Sequence, residues 1–75
     1  MRYADMDRFP VPSSSLRSIG YDVKGRVLEV EFPSGKIYRY FGVPGLLLLK
    51  LLTANSIGRY FNRYIREQFD YAEVS

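Results

Sequence analysis

Cysteine and histidine are both absent from this 75-residue chain. Without thiols there are no disulfides and no thiolate chemistry. Without imidazole there is no zinc finger, no histidine general base and no triad that needs His or Cys. Only carboxylates, hydroxyls, tyrosines and cations remain for chemistry, so no cofactor, no metal and no enzymatic activity is expected. Long apolar runs are lacking as well. The greasiest stretch, Leu46–Leu52, is interrupted by Lys50 and is far shorter than the ~18 residues of a membrane span. The opening residues, Met1 to Arg8, carry Asp5 and Asp7 and no apolar segment of the signal-peptide kind. These features predict a protein without membrane contact, in the cytoplasm, where missing cysteines fit a reducing compartment.

What remains is enough for one small domain. The chain has a mass of 8.7 kDa, and 47% of its residues are apolar, with seven tyrosines and five phenylalanines. A chain of this size buries about 60% of its unfolded surface. Charge is distributed in blocks. Residues 1–31 are balanced, with Arg2, Arg8, Arg17, Lys24 and Arg26 against Asp5, Asp7, Asp22, Glu29 and Glu31. Residues 32–66 hold Lys36, Arg39, Lys50, Arg59, Arg63 and Arg66 and no acid, whereas residues 67–75 hold Glu67, Asp70 and Glu73. An acid-free basic stretch invites a polyanion. The competing account is that Glu29, Glu31 and the acidic tail fold back on it.

Pro10 and Pro12 around Val11, followed by three serines, predict an extended arm over residues 1–12. The domain proper is placed at 13–67 and an acidic tail at 68–75. Ile19-Gly20-Tyr21 leads into Asp22-Val23-Lys24-Gly25, a type I turn pattern with Gly25 in the left-handed region. In Val27–Phe32, Leu28, Val30 and Phe32 share one face, and Glu29 and Glu31 the other. Phe32-Pro33-Ser34-Gly35-Lys36 favours a three-residue hairpin loop with a bulge at glycine. That register sets Val30 opposite Tyr38, Leu28 opposite Tyr40, and Glu29 opposite Arg39 on an outer face. A one-residue slip would reverse the facing. Pro44 suits a helix start, giving a helix to about Ala54. Ser56 then caps a second helix through about Glu67. The predicted class is α+β: a three-stranded antiparallel β-meander followed by two α-helices packed on one face.

The residues that carry this pattern are Ile19-Gly20-Tyr21-Asp22, Leu28-x-Val30-x-Phe32, Gly35, Tyr38-Arg39-Tyr40, Val43-Pro44, Leu51-Leu52-x-Ala54 and Ser56-x-Gly58-Arg59-Tyr60-Phe61-Asn62. Together they resemble the KTSC domain, found at the C-terminus of some lysyl-tRNA synthetases and as a free-standing small protein. The resemblance spans roughly Ser14 to Arg66, with Tyr-x-Tyr in the third strand as its hallmark. It implies a non-enzymatic accessory module in the company of RNA. Departures fall at Leu46, Leu49 and Ile57, where polar residues are usual, and at Leu48, where an aromatic is usual.

Four candidate sites follow. Tyr38-Arg39-Tyr40 could stack unpaired bases while neighbouring cations track phosphates, although alternation puts both tyrosines with Leu28 and Val30 in the core. Arg59, Arg63 and Arg66 form one helical stripe, either a phosphate-binding face or an ordinary solvated one. Lys36 extends this nucleic-acid set. Leu46 and Leu49, beside Lys50, lie away from the sheet-facing Leu47, Leu48, Leu51 and Leu52. They predict a contact with a second copy, a protein partner or the arm. Glu29 and Glu31, about 7 Å apart on one strand face, are the last carboxylate pair available for catalysis. On an outer strand face they serve as surface salt-bridge partners.

Overall fold

The computed structural model describes residues 6–74. Five strands form one antiparallel sheet in sequence order. They are β1 (Phe9–Pro10), β2 (Ser18–Asp22), β3 (Val27–Glu31), β4 (Ile37–Phe41) and β5 (Tyr71–Glu73). Helices α1 (Gly45–Leu52) and α2 (Ile57–Tyr64) lie between β4 and β5 in the chain. The α+β class and the two-helix cover match expectation, while the three-stranded count does not. Two segments read as an arm and a tail each supply an edge strand: Phe9 pairs with Ile19 and Pro10 with Ser18, and Tyr71 pairs with Tyr40 and Glu73 with Tyr38. Pro10 is tolerated because β1 is an edge, where a missing N–H breaks no central ladder. The tail's charge hid a period-two pattern, Phe69-x-Tyr71-x-Glu73.

The hairpin between β3 and β4 forms as its residues dictate. Gly35 takes φ +92°, the Phe32 N–H donates to Lys36 O at 2.9 Å, and the Gly35 N–H donates to Phe32 O at 2.9 Å. Val30 therefore faces Tyr38, Leu28 faces Tyr40 and Glu29 faces Arg39. The β2–β3 turn differs in detail. Asp22 pairs directly with Val27, which leaves four loop residues and moves the left-handed position to Arg26, at φ 55°. Gly25 is not that residue. The Asp22 carboxylate still organises the turn, accepting from the Lys24 N–H at 3.1 Å.

One sheet face, carrying Ile19, Leu28, Val30 and Tyr40, packs against Leu51, Ile57, Phe61 and Ile65 of the helical layer. α1 starts one residue later than expected, with Pro44 as its N-cap, and ends where the Thr53 hydroxyl donates to Leu49 O at 2.8 Å. α2 begins on Ser56, whose hydroxyl accepts from the Arg59 N–H at 3.3 Å. It stops at Tyr64, short of Glu67. The N–H groups of both Ile65 and Arg66 reach the Phe61 carbonyl, at 3.0 and 2.9 Å, a π-type turn that closes the helix. The turn keeps Ile65 buried and starts the chain back towards β5.

The other sheet face is not bare. Gly20, Glu29, Arg39 and Ala72 form one row across it. A Cβ on Gly20 would lie 2.5 Å from Asp7 O and 3.1 Å from Arg8 Cγ. Residues 6–8 therefore cross directly over this glycine, which is the reason a strand interior carries one. Arg8 reaches down from that strap to bridge Glu29.

Candidate nucleic-acid interface

Arg39, expected on an exposed outer face, is buried. It is 7% exposed and Glu29 is 3% exposed, with Arg39 Nε donating to one carboxylate oxygen at 2.7 Å. Arg8 pairs with the other oxygen, and its Nε donates to Ser18 Oγ at 3.1 Å. Ser18 in turn donates to Glu31 Oε1 at 2.8 Å, and Arg17 stands 3.7 Å from Glu31. Burying two such charges costs several kcal/mol each before pairing. Arg39 is thus committed to holding the strap, and it leaves the nucleic-acid set. Asp5, the remaining acid of the arm, lies outside the described residues.

The tyrosines divide. Tyr40 is 2% exposed, whereas Tyr38 is half-buried. Both line a cleft of roughly 610 Å³ on the helix-bearing side of the β4–β5 pair. Its apolar walls are Phe32, Tyr38, Tyr40, Phe69 and Tyr71. The Tyr71 ring lies 5.7 Å from Tyr38 and 5.6 Å from Tyr40, and the Tyr38 and Tyr40 rings stack at 6.5 Å. Tyr71 is more than half exposed. Burial pushes the Tyr40 hydroxyl up to about 12, against the opposing pull of the Arg66 guanidinium, so Tyr40 stays neutral at physiological pH.

Lys36, Arg66, Glu67 and Ser34 supply the polar lining. The end of α2 at Tyr64 separates Arg66 from the stripe expected with Arg59 and Arg63. Arg66 joins the cleft, with its guanidinium donating to Asn62 Oδ1 at 3.3 Å. Arg59 and Arg63 remain exposed on α2, and the Arg63 guanidinium sits 5.6 Å from the Tyr64 ring centre. Tyr64 is itself exposed. Among the described residues, no carboxylate lies within ion-pairing distance of Lys36, Arg59, Arg63 or Arg66. Among the described residues, the acidic tail returns to the sheet without forming an ion pair with them. Tyr71, Phe69 and Glu67 were not singled out from sequence; the Phe69-x-Tyr71 alternation was the signal that could have found them.

On α1, Leu46 is 62% and Leu49 61% exposed, with Lys50 exposed beside them. The described part of the arm crosses the opposite sheet face and does not cover them. No helix among the described residues is long and apolar enough to cross a membrane.

One antiparallel sheet under two helices, with a tyrosine-walled cationic cleft where the last strand closes it, defines a small single-sheet α+β domain. The chain belongs to the KTSC domain family, which matches residues 12–69. An uncharacterized protein of Stutzerimonas stutzeri strain A1501 is 51% identical over 63 residues, covering 84% of this chain and 89% of that protein. A lysine–tRNA ligase of Nostoc punctiforme is 34% identical over 74 residues, covering 95% of this chain but only 13% of the ligase. The crystal structure of a KTSC domain protein from Yersinia pestis superposes with a TM-score of 0.89 at 38% identity, covering 95% of this chain and all of that one.

Proposed function

We propose that this domain is a non-enzymatic module that binds single-stranded RNA, with an unpaired base in the tyrosine cleft and phosphates on Lys36, Arg66, Arg59 and Arg63. The carrying observation is the cleft itself: Tyr38 and Tyr71 offer ring surface beside two cations that, among the described residues, form no ion pair with a carboxylate. Stacking on aromatic side chains contributes about 1–3 kcal/mol per base and needs an unpaired strand. The similar segment in a lysine–tRNA ligase supports RNA as the polyanion, since that relative is named for a tRNA substrate.

Four cations on a single strand give a slope of about −2.8 in log K against log salt. Replacing Lys36 and Arg66 with glutamine should flatten it by about 1.4. Both are exposed, so thermal stability should barely move. Fluorescence anisotropy with a labelled RNA oligomer over a salt series measures this. A weaker affinity at unchanged slope would remove phosphate contact from these residues. No binding at low salt would sink the proposal.

The exposure of Leu46 and Leu49 favours a second reading, in which α1 and Lys50 contact a second copy or a protein partner. Light scattering tests self-association: mass should rise with concentration and return to the monomer value in Leu46→Lys/Leu49→Lys. A wild-type chain that stays monomeric at high concentration would leave only a different protein as occupant.

A further inference from the structure

Among the described residues, Glu67 is the one acid lining a cleft that otherwise presents Lys36, Arg66, Ser34 and aromatic rings. Among the described residues it forms no ion pair with either cation, and it is exposed. A groove meant for phosphate alone gains nothing from a carboxylate, which repels the ligand. A carboxylate contributes when it meets donors, because when ionised it can only accept. The volume of roughly 610 Å³ falls in the range that encloses a small organic group, so a whole base can enter between the rings and the rim.

The four bases differ in what they offer to two adjacent carboxylate oxygens. Guanine presents N1–H and the exocyclic N2 amino group side by side. Cytosine and adenine each set one amino group beside a ring nitrogen that accepts, and uracil flanks its single N–H with two carbonyls. Only guanine makes two parallel hydrogen bonds to one carboxylate. Building on the RNA-binding reading, we propose that the cleft selects an unpaired guanine, with Glu67 accepting from its N1–H and N2 amino group. Tyr38 and Tyr71 supply the stacking surface, and Lys36 and Arg66 balance the flanking phosphates.

The test uses four labelled oligouridylates that differ at one central position, carrying G, A, C or U, with the full-length chain at low salt. The guanine oligomer should bind about tenfold tighter than the all-uridine one, within the range of a bidentate contact. Glu67→Gln should reduce that preference below about threefold, and the lost negative charge should raise the affinity for the all-uridine oligomer. Equal binding of all four oligomers by the native chain would overturn the selectivity and leave RNA binding standing. A guanine preference that survives Glu67→Gln would overturn the role of this residue. If no oligomer binds, both proposals fall together.

Discussion

Replacing Glu29 with alanine is expected to cost the fold about 3–5 kcal/mol, the scale for removing one member of a buried ionic group. A chain of this length has a total stability of about 4–11 kcal/mol, so the variant should sit near the edge of folding at room temperature. The cost arises because Arg39, 7% exposed, and the overlying Arg8 lose the carboxylate that bridges them. The strap through residues 6–8 loses its anchor at the same time. Urea unfolding followed by circular dichroism measures the loss. Glu29→Leu combined with Arg39→Met should recover the part of the deficit that comes from the buried Arg39 charge, since apolar residues of similar size fill such sites well, and leave the part that comes from Arg8 and the strap. A loss below about 1 kcal/mol in Glu29→Ala would mean that the row is solvated and the strap open.

The second large effect belongs to Phe61. Its ring is buried and meets Tyr40 edge-on at 5.3 Å and Phe32 at 5.8 Å. Phe61→Ala should therefore cost about 3–5 kcal/mol through lost contact and the remaining cavity. Tyr40 and Phe32 are also cleft walls, so the same substitution should weaken RNA binding in the fraction that remains folded. Phe61→Leu keeps most of the volume and should lose less than half as much. A variant Phe61→Ala with a native denaturation midpoint would show that the helical layer does not rest on this ring.

The central fold was legible because local signals agreed. The loop chemistry of Pro33-Ser34-Gly35 fixed the β3–β4 register, and the alternation of Leu28, Val30, Tyr38 and Tyr40 fixed the facing. The edges were not legible, since charge and proline dominated residues 9–10 and 71–73 while their pairing depends on a sheet that exists only after folding. The same limit explains Glu29 and Arg39. Their cross-strand pairing follows from register, but their burial depends on a strap that Gly20 admits by lacking a side chain. Arg66 was separated from Arg59 and Arg63 by a helix end without a glycine or proline signal. That end follows from tertiary burial of Ile65, and it delivers Arg66 to the tyrosines. The cleft was therefore visible only in part: Lys36, Tyr38, Tyr40 and Arg66 were named, and the opposing wall was not.

The most direct measurement of the account is a residue-resolved amide NMR titration of the full chain with a single-stranded RNA oligomer at low salt. The expected shifts concentrate at Lys36, Tyr38, Arg66, Glu67 and Tyr71, with smaller changes at Arg59 and Arg63. The buried row of Glu29 and Arg39, and the leucines at 46 and 49, should remain still. Shifts centred on Leu46, Leu49 and Lys50 with a silent cleft, or no shifts at all, would contradict it.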